Sequence, residues 1–160
     1  MRLLLPMNLQ KDYLLSSLLT LRPTEEHLKS LACYIKMFEN QEQTIVEGIR
    51  FAHQISGIHH RITLYYLVNE VLCMPISTRF KVELKQFINE MFISDIEKSL
   101  KFEILNKKLL ELESVWNRRK ILTLGIDLEE ILLKIKESFF DRPKLIKVLK
   151  DLLESLEEAS

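Results

Sequence analysis

Six cysteine and histidine side chains in this sequence could serve as nucleophiles, bases or metal ligands, namely Cys33, Cys73, His27, His53, His59 and His60, while the many carboxylates are expected on solvated helix faces. Their spacing assembles none of the known sites. The histidines do not share ligand spacing with the cysteines, so a zinc site is not expected. His59 and His60 are adjacent, which points them about 100° apart on a helix, as surface or capping residues. Cys73 beside a histidine imitates a nucleophile pair, but nothing supplies a third, orienting group. The chain has no glycine-rich phosphate loop, no HExxH and no GxSxG. An enzyme, a metal centre and a bound cofactor are therefore not expected. The two cysteines make no disulfide framework and are expected as buried free thiols, Cys73 as an ordinary small apolar residue, which suits a reducing compartment.

A second kind of chemistry is recognition, and two stretches carry residues for it. In "LNKKLLELESVWNRRKIL" (105–122), Leu105, Leu109, Leu112 and Trp116 share one helical face and are expected in a core. Lys107, Glu111, Ser114 and Arg118 share another face, with Lys108 and Arg119 flanking the core stripe. These cations either hold an anion or pair with Glu111 on a solvated surface. In "RITLYYLVNEVLCM" (61–74), Leu64, Leu67, Val68, Val71 and Leu72 form a core stripe. Almost opposite lie Ile62, Tyr66, Asn69 and Cys73. A helix apolar nearly all round is buried on most sides. Two readings fit Tyr66 and Asn69 there: the floor of a groove, or core residues with internal hydrogen bonds.

The elements that must position these residues are helices. The chain has 160 residues, 47% of them apolar and 29% charged, with only three Gly and four Pro. That length and balance suit one folded domain. The scarcity of turn formers and the wealth of Leu, Ile, Lys and Glu predict an all-α fold. Breakers and caps place the helices at about 8–21, 24–40 (Thr24 as N-cap), 42–56, 59–73 (ended by Pro75), 78–93, 102–119, 127–139 (Asp127 as cap) and 143–157, with a short turn near 95–101. Gly48 is expected to permit close helix packing. About eight helices with short loops make sequence neighbours antiparallel and stack helical hairpins in order, as a solenoid-like superhelix.

Formal net charge is zero, so no global field favours nucleic acid. Residues 96–126 hold seven basic and four acidic residues, and 127–160 hold six and nine. No apolar run of 18 residues occurs, and "MRLLLPMNLQ" is too short for a signal peptide or a membrane span. A cytosolic or nuclear protein is expected. "KLIKVLKDLLESLEE" (144–158) places Leu145, Val148, Leu149, Leu152 and Leu156 on one stripe, which either packs back on the domain or forms a homodimer.

"LYYLVNEVL" resembles the "LYLANDVI" type of signature in CTD-interacting domains, also called CID or RPR domains. "LLELESVWNRRKIL" is similar to their "LxRLLNIWxERxxF" segment, and "LLSSLLTLRPTEEHLKSLACYIKMF" looks like their first two helices with the intervening loop. The likeness spans roughly 8–135 and is nearest the transcription-termination branch of the regulators of nuclear pre-mRNA domain-containing proteins. It implies a right-handed superhelix of eight helices, with a domain over 1–140 and a C-terminal helix over 141–160. It also implies a nuclear protein that binds the phosphorylated heptad-repeat C-terminal domain of RNA polymerase II, in termination or pre-mRNA 3′-end processing. Tyr66, Asn69 and Glu70 fall on the family's groove positions, with Ile62, Val115 and Ile35 as supporting walls. Asn69 matches the residue that hydrogen-bonds the peptide. Relatives carry a coiled coil after the domain, which suggests dimerisation through the last helix, with packing back on the domain equally open, and some contact RNA.

The sequence departs from the family pattern at the phosphate. The arginine five residues before the tryptophan is Glu111 here, and the signature's asparagine is Ser114. Arg119 matches the family arginine three residues after the tryptophan. Lys107, Lys108, Arg118 and Arg22 are the remaining candidates for phosphate, and the preferred phosphoserine stays open. A membrane-trafficking adaptor of the ENTH or VHS type shares the fold. A helical scaffold acting through its tail is the third alternative.

Overall fold

The computed structural model describes residues 8–119 and 142–159. Among these residues there are seven α-helices and no strand: α1 (Lys11–Leu19), α2 (Glu25–Met37), α3 (Glu42–Ile55), α4 (Ile58–Leu72), α5 (Thr78–Ser99), α6 (Glu103–Arg118) and α7 (Arg142–Ala159). The protein is all-α. The helix expected at 127–139 and its cap Asp127 lie outside the described residues, as does the apolar run at 1–7. The chain divides into two compact units, residues up to Ile93 and residues from Ser94 onward.

Local signals set the helix ends in the first unit. The Thr24 hydroxyl accepts from the His27 amide at 3.4 Å, so it caps α2 as expected. Pro75 stops α4, and the Ser77 hydroxyl accepts from the Phe80 amide at 3.2 Å to start α5. The C-terminal end of α3 is closed from outside. Arg61, in the first turn of α4, donates through Nε to the carbonyls of His53 (2.8 Å) and Ser56 (3.0 Å). The His53 carbonyl also accepts from the Ser56 amide at 3.3 Å, and a cation suits the negative end of the dipole. Arg61→Ala is expected to lower stability by about 1–2 kcal/mol, with lysine recovering only part because it lacks the planar fork. A shift in the urea midpoint checks this. His60 acts similarly: its Nε2–H donates to the Leu18 carbonyl at the end of α1, 2.7 Å away. His60 thus takes a capping role of the kind expected for the His59–His60 pair.

Helix packing in this unit alternates. α1 packs chiefly on α3, and α2 on α4. α1 and α2 thus find their main partners two elements on, while α3 also packs on its neighbour in sequence, α4. Gly48 shows why α1 and α3 come so close. A Cβ there would lie 3.3 Å from Leu14 Cδ2, tighter than side chains usually tolerate. Inside, Tyr65 is fully buried in an aromatic cluster, with ring centroids 5.1 Å from Phe92, 5.8 Å from His53 and 5.9 Å from Phe87. The Tyr65 hydroxyl and His53 Nε2 share a hydrogen bond at 3.3 Å.

The second unit confirms the stripe on α6: Leu105, Leu109, Leu112 and Trp116 are all buried. Asn106 joins the start of α6 to the end of α5, donating to the Ser99 hydroxyl at 3.1 Å, which itself donates to the Ile96 carbonyl at 2.7 Å. α5 runs on through the segment expected as a turn near 95–101. Its real end is at Ser99, where Ser99 accepts from the Phe102 amide at 2.8 Å. In α7, Leu152 is buried and Leu149 and Leu156 are half-buried, so one end of the expected stripe is covered within the chain.

Candidate peptide-binding site

The α4 helix emerges from the core in steps along the stripe that held Tyr66 and Asn69. Ile62 is buried, Tyr66, Asn69 and Glu70 are half-buried, and Cys73 is exposed. The 100° step between consecutive residues separates the two tyrosines. Tyr65 faces the aromatic cluster, while Tyr66 keeps part of its surface in water. Ile62 at 3% exposure lies beneath such a floor rather than on it. Ile35, on the facing helix α2, is likewise fully buried. The turn Tyr66–Asn69–Glu70 therefore combines an aromatic wall, an amide that both donates and accepts, and a carboxylate.

α2 lies against α4 and brings charge to its edge. Lys36 Nζ donates to the Pro75 carbonyl at 2.6 Å, just past the end of α4, and also faces Glu39 at 3.9 Å. Two helical turns earlier on α2, Lys29 Nζ donates to Glu25 Oε1 at 2.6 Å. That hydrogen bond, then the attraction of the two charges, holds the Glu25 carboxyl below its ordinary range and raises the Lys29 ammonium above its own. The charge of Glu70, on α4, adds a smaller part to the rise at Lys29.

Other sequence candidates are distributed as follows. Arg22 is exposed in the loop between α1 and α2. On α6, Lys107, Lys108, Glu111, Arg118 and Arg119 are exposed, and Ser114 and Val115 are half-buried. Those α6 residues belong to the second unit. Cys33 and Cys73 are both exposed, which corrects the expectation of buried thiols. Cys73 follows the last residue of α4, past the buried stripe, and Cys33 sits on α2 away from the face carrying Leu28, Leu31, Ala32 and Ile35.

Sequence reasoning missed three features. The Glu25–Lys29 pair had a legible signal, an acid four residues before a base. The buried His53–Tyr65 pair had none, because residues 12 positions apart meet only through tertiary packing. A cleft of about 550 Å³ between α1 and α2, lined by Tyr13, His27, Tyr34 and Met37 among others, was also not foreseen. Among the described residues no group of three or more His, Cys, Asp or Glu side chains could hold a metal ion, and no helix is long and apolar enough to cross a membrane.

Comparison with curated proteins and with solved structures gave no match. A family model, the CID domain, matches residues 12–126, which takes in α1 but for its first residue, the whole of α2 through α6, and both stretches that carry the recognition chemistry. The chain belongs to the CID domain family.

Proposed function

We propose that this chain is a peptide-binding module for the heptad-repeat C-terminal domain of RNA polymerase II. It acts in the nucleus, in transcription termination or pre-mRNA 3′-end processing, within the branch of the regulators of nuclear pre-mRNA domain-containing proteins. Binding rather than catalysis is its work. The observation that carries this reading is the α4 turn of Tyr66, Asn69 and Glu70, half-exposed at the C-terminal half of an otherwise buried helix, in a chain of the CID family. An extended peptide needs such a surface. Its backbone amides and carbonyls must regain the hydrogen bonds they lose to protein contact, and an asparagine side chain offers both a donor and an acceptor. A partly exposed tyrosine gives apolar contact without committing a large apolar patch to water.

The peptide is repetitive, so each site can be weak. An affinity on the order of micromolar per repeat suffices when neighbouring repeats raise the effective concentration. The test is fluorescence anisotropy with labelled two-repeat peptides, unphosphorylated or carrying phosphoserine at heptad position two, five or seven. Saturable binding of at least one peptide is expected, on the order of micromolar. A folded protein that binds none of them overturns the reading.

A further inference from the structure

We propose that Lys29 is the cation that receives a phosphate on a peptide docked at Asn69, and that Glu25 occupies it until the phosphate displaces it. This rests on the reading of α4 as the peptide floor.

The placement follows from α2. Residues seven apart on a helix share a face, so Lys29 and Lys36 stand on the same edge of α2. Lys36 marks where that edge looks, because its ammonium reaches the Pro75 carbonyl at 2.6 Å, just beyond α4. Two turns back, Lys29 stands on the same edge of α2 that Lys36 turns toward α4, and the charge of Glu70 adds to the rise of the Lys29 ammonium. Asn69 is the neighbour of Glu70 in sequence. A phosphate bound over Asn69 would therefore meet Lys29 first on the α2 side.

The two lysines differ in availability. Lys36 is engaged by a backbone carbonyl and by Glu39, and its side chain is 35% exposed. Lys29 keeps 56% of its side chain exposed and holds only a flexible surface partner, Glu25, itself 78% exposed. An exposed carboxylate–ammonium pair is a weak bond in water. A phosphate monoester carries close to two negative charges and three acceptor oxygens, so it outcompetes one carboxylate for the same ammonium. The local balance also sets specificity. With Glu25 bonded to this one lysine and the charge of Glu70 acting on the same ammonium, the edge is net acidic when empty. It disfavours acidic side chains that lack the charge density to displace Glu25, and accepts a phosphate that has it.

The experiment uses the same labelled two-repeat peptides with the full chain and three variants: Lys29→Ala, Lys29→Arg and Glu25→Gln. All three change exposed side chains, and their circular dichroism should match the unaltered protein. Lys29→Ala is expected to weaken at least one phosphopeptide by about fivefold and leave the unphosphorylated peptide unchanged. Lys29→Arg should restore most of that loss. Glu25→Gln should strengthen the same phosphopeptide by roughly two- to threefold, and the gain should fade as salt is raised. If the protein binds peptide but Lys29→Ala leaves every phosphopeptide within about twofold, Lys29 is not the phosphate site and the groove reading stands without it. Equal loss for phosphorylated and unphosphorylated peptide overturns it as well. If the unaltered protein binds no peptide, the groove reading and this inference fall together.

Discussion

Tyr65→Ala is expected to lower the stability of the chain by about 3–5 kcal/mol, the range for removing a large aromatic side chain from a packed core. Tyr65 has no exposed surface, and its ring is the hub where His53, Phe87 and Phe92 meet. Alanine would leave a cavity walled by rigid rings, which cannot collapse into it cheaply. It would also take away the hydroxyl that bonds His53 Nε2 at 3.3 Å. The cluster reaches the surface through Arg50, whose guanidinium lies 5.6 Å from the Phe87 ring centroid and bonds Glu90 at 2.6 Å. A disturbance at Tyr65 therefore loosens α3, α4 and α5 together. Tyr65→Phe separates the two contributions. It keeps the ring and removes only the hydroxyl, and is expected to cost about 1 kcal/mol. Chemical denaturation followed by circular dichroism measures both. A loss under about 1.5 kcal/mol for Tyr65→Ala would mean that the site relaxes and the ring is not the hub.

The adjacent residue should behave in the opposite way. Tyr66→Ala combined with Asn69→Ala is expected to leave a folded protein and to abolish most peptide binding. Both side chains are half-buried, so truncation opens no sealed cavity. Each contact is worth about 1–2 kcal/mol to a bound peptide, so a site of micromolar order should weaken by about a hundredfold. Anisotropy with the two-repeat peptides reads the loss, and the denaturation midpoint reads the fold. If the folded double variant binds as well as the unaltered protein, the peptide floor is not on this turn of α4. Tyr65 and Tyr66 thus form an internal control, since one residue type at consecutive positions is expected to govern stability in one case and recognition in the other.

The sequence by itself determined what depends on neighbours along the chain. Thr24, Ser77 and Pro75 set helix ends through bonds made or denied within a few residues. The spacing of Leu105, Leu109, Leu112 and Trp116 identified a buried face, because helical periodicity converts spacing directly into direction. The all-α class followed from the same local physics, and the family was legible in two short segments joined at the right separation. Tertiary structure alone decided which sides of α4 are covered. The wheel placed Tyr66 opposite the core stripe, yet it could not show that Tyr65 is the fully buried ring, because a helix packed by several neighbours has no single inner face. Alternation of partners, α1 with α3 and α2 with α4, was likewise beyond local signals, as was the exposure of both cysteines. Packing also brought the Lys36 ammonium to the Pro75 carbonyl, 39 positions along the chain. Periodicity says which residues share a face, but only the close packing of distant helices says what that face meets.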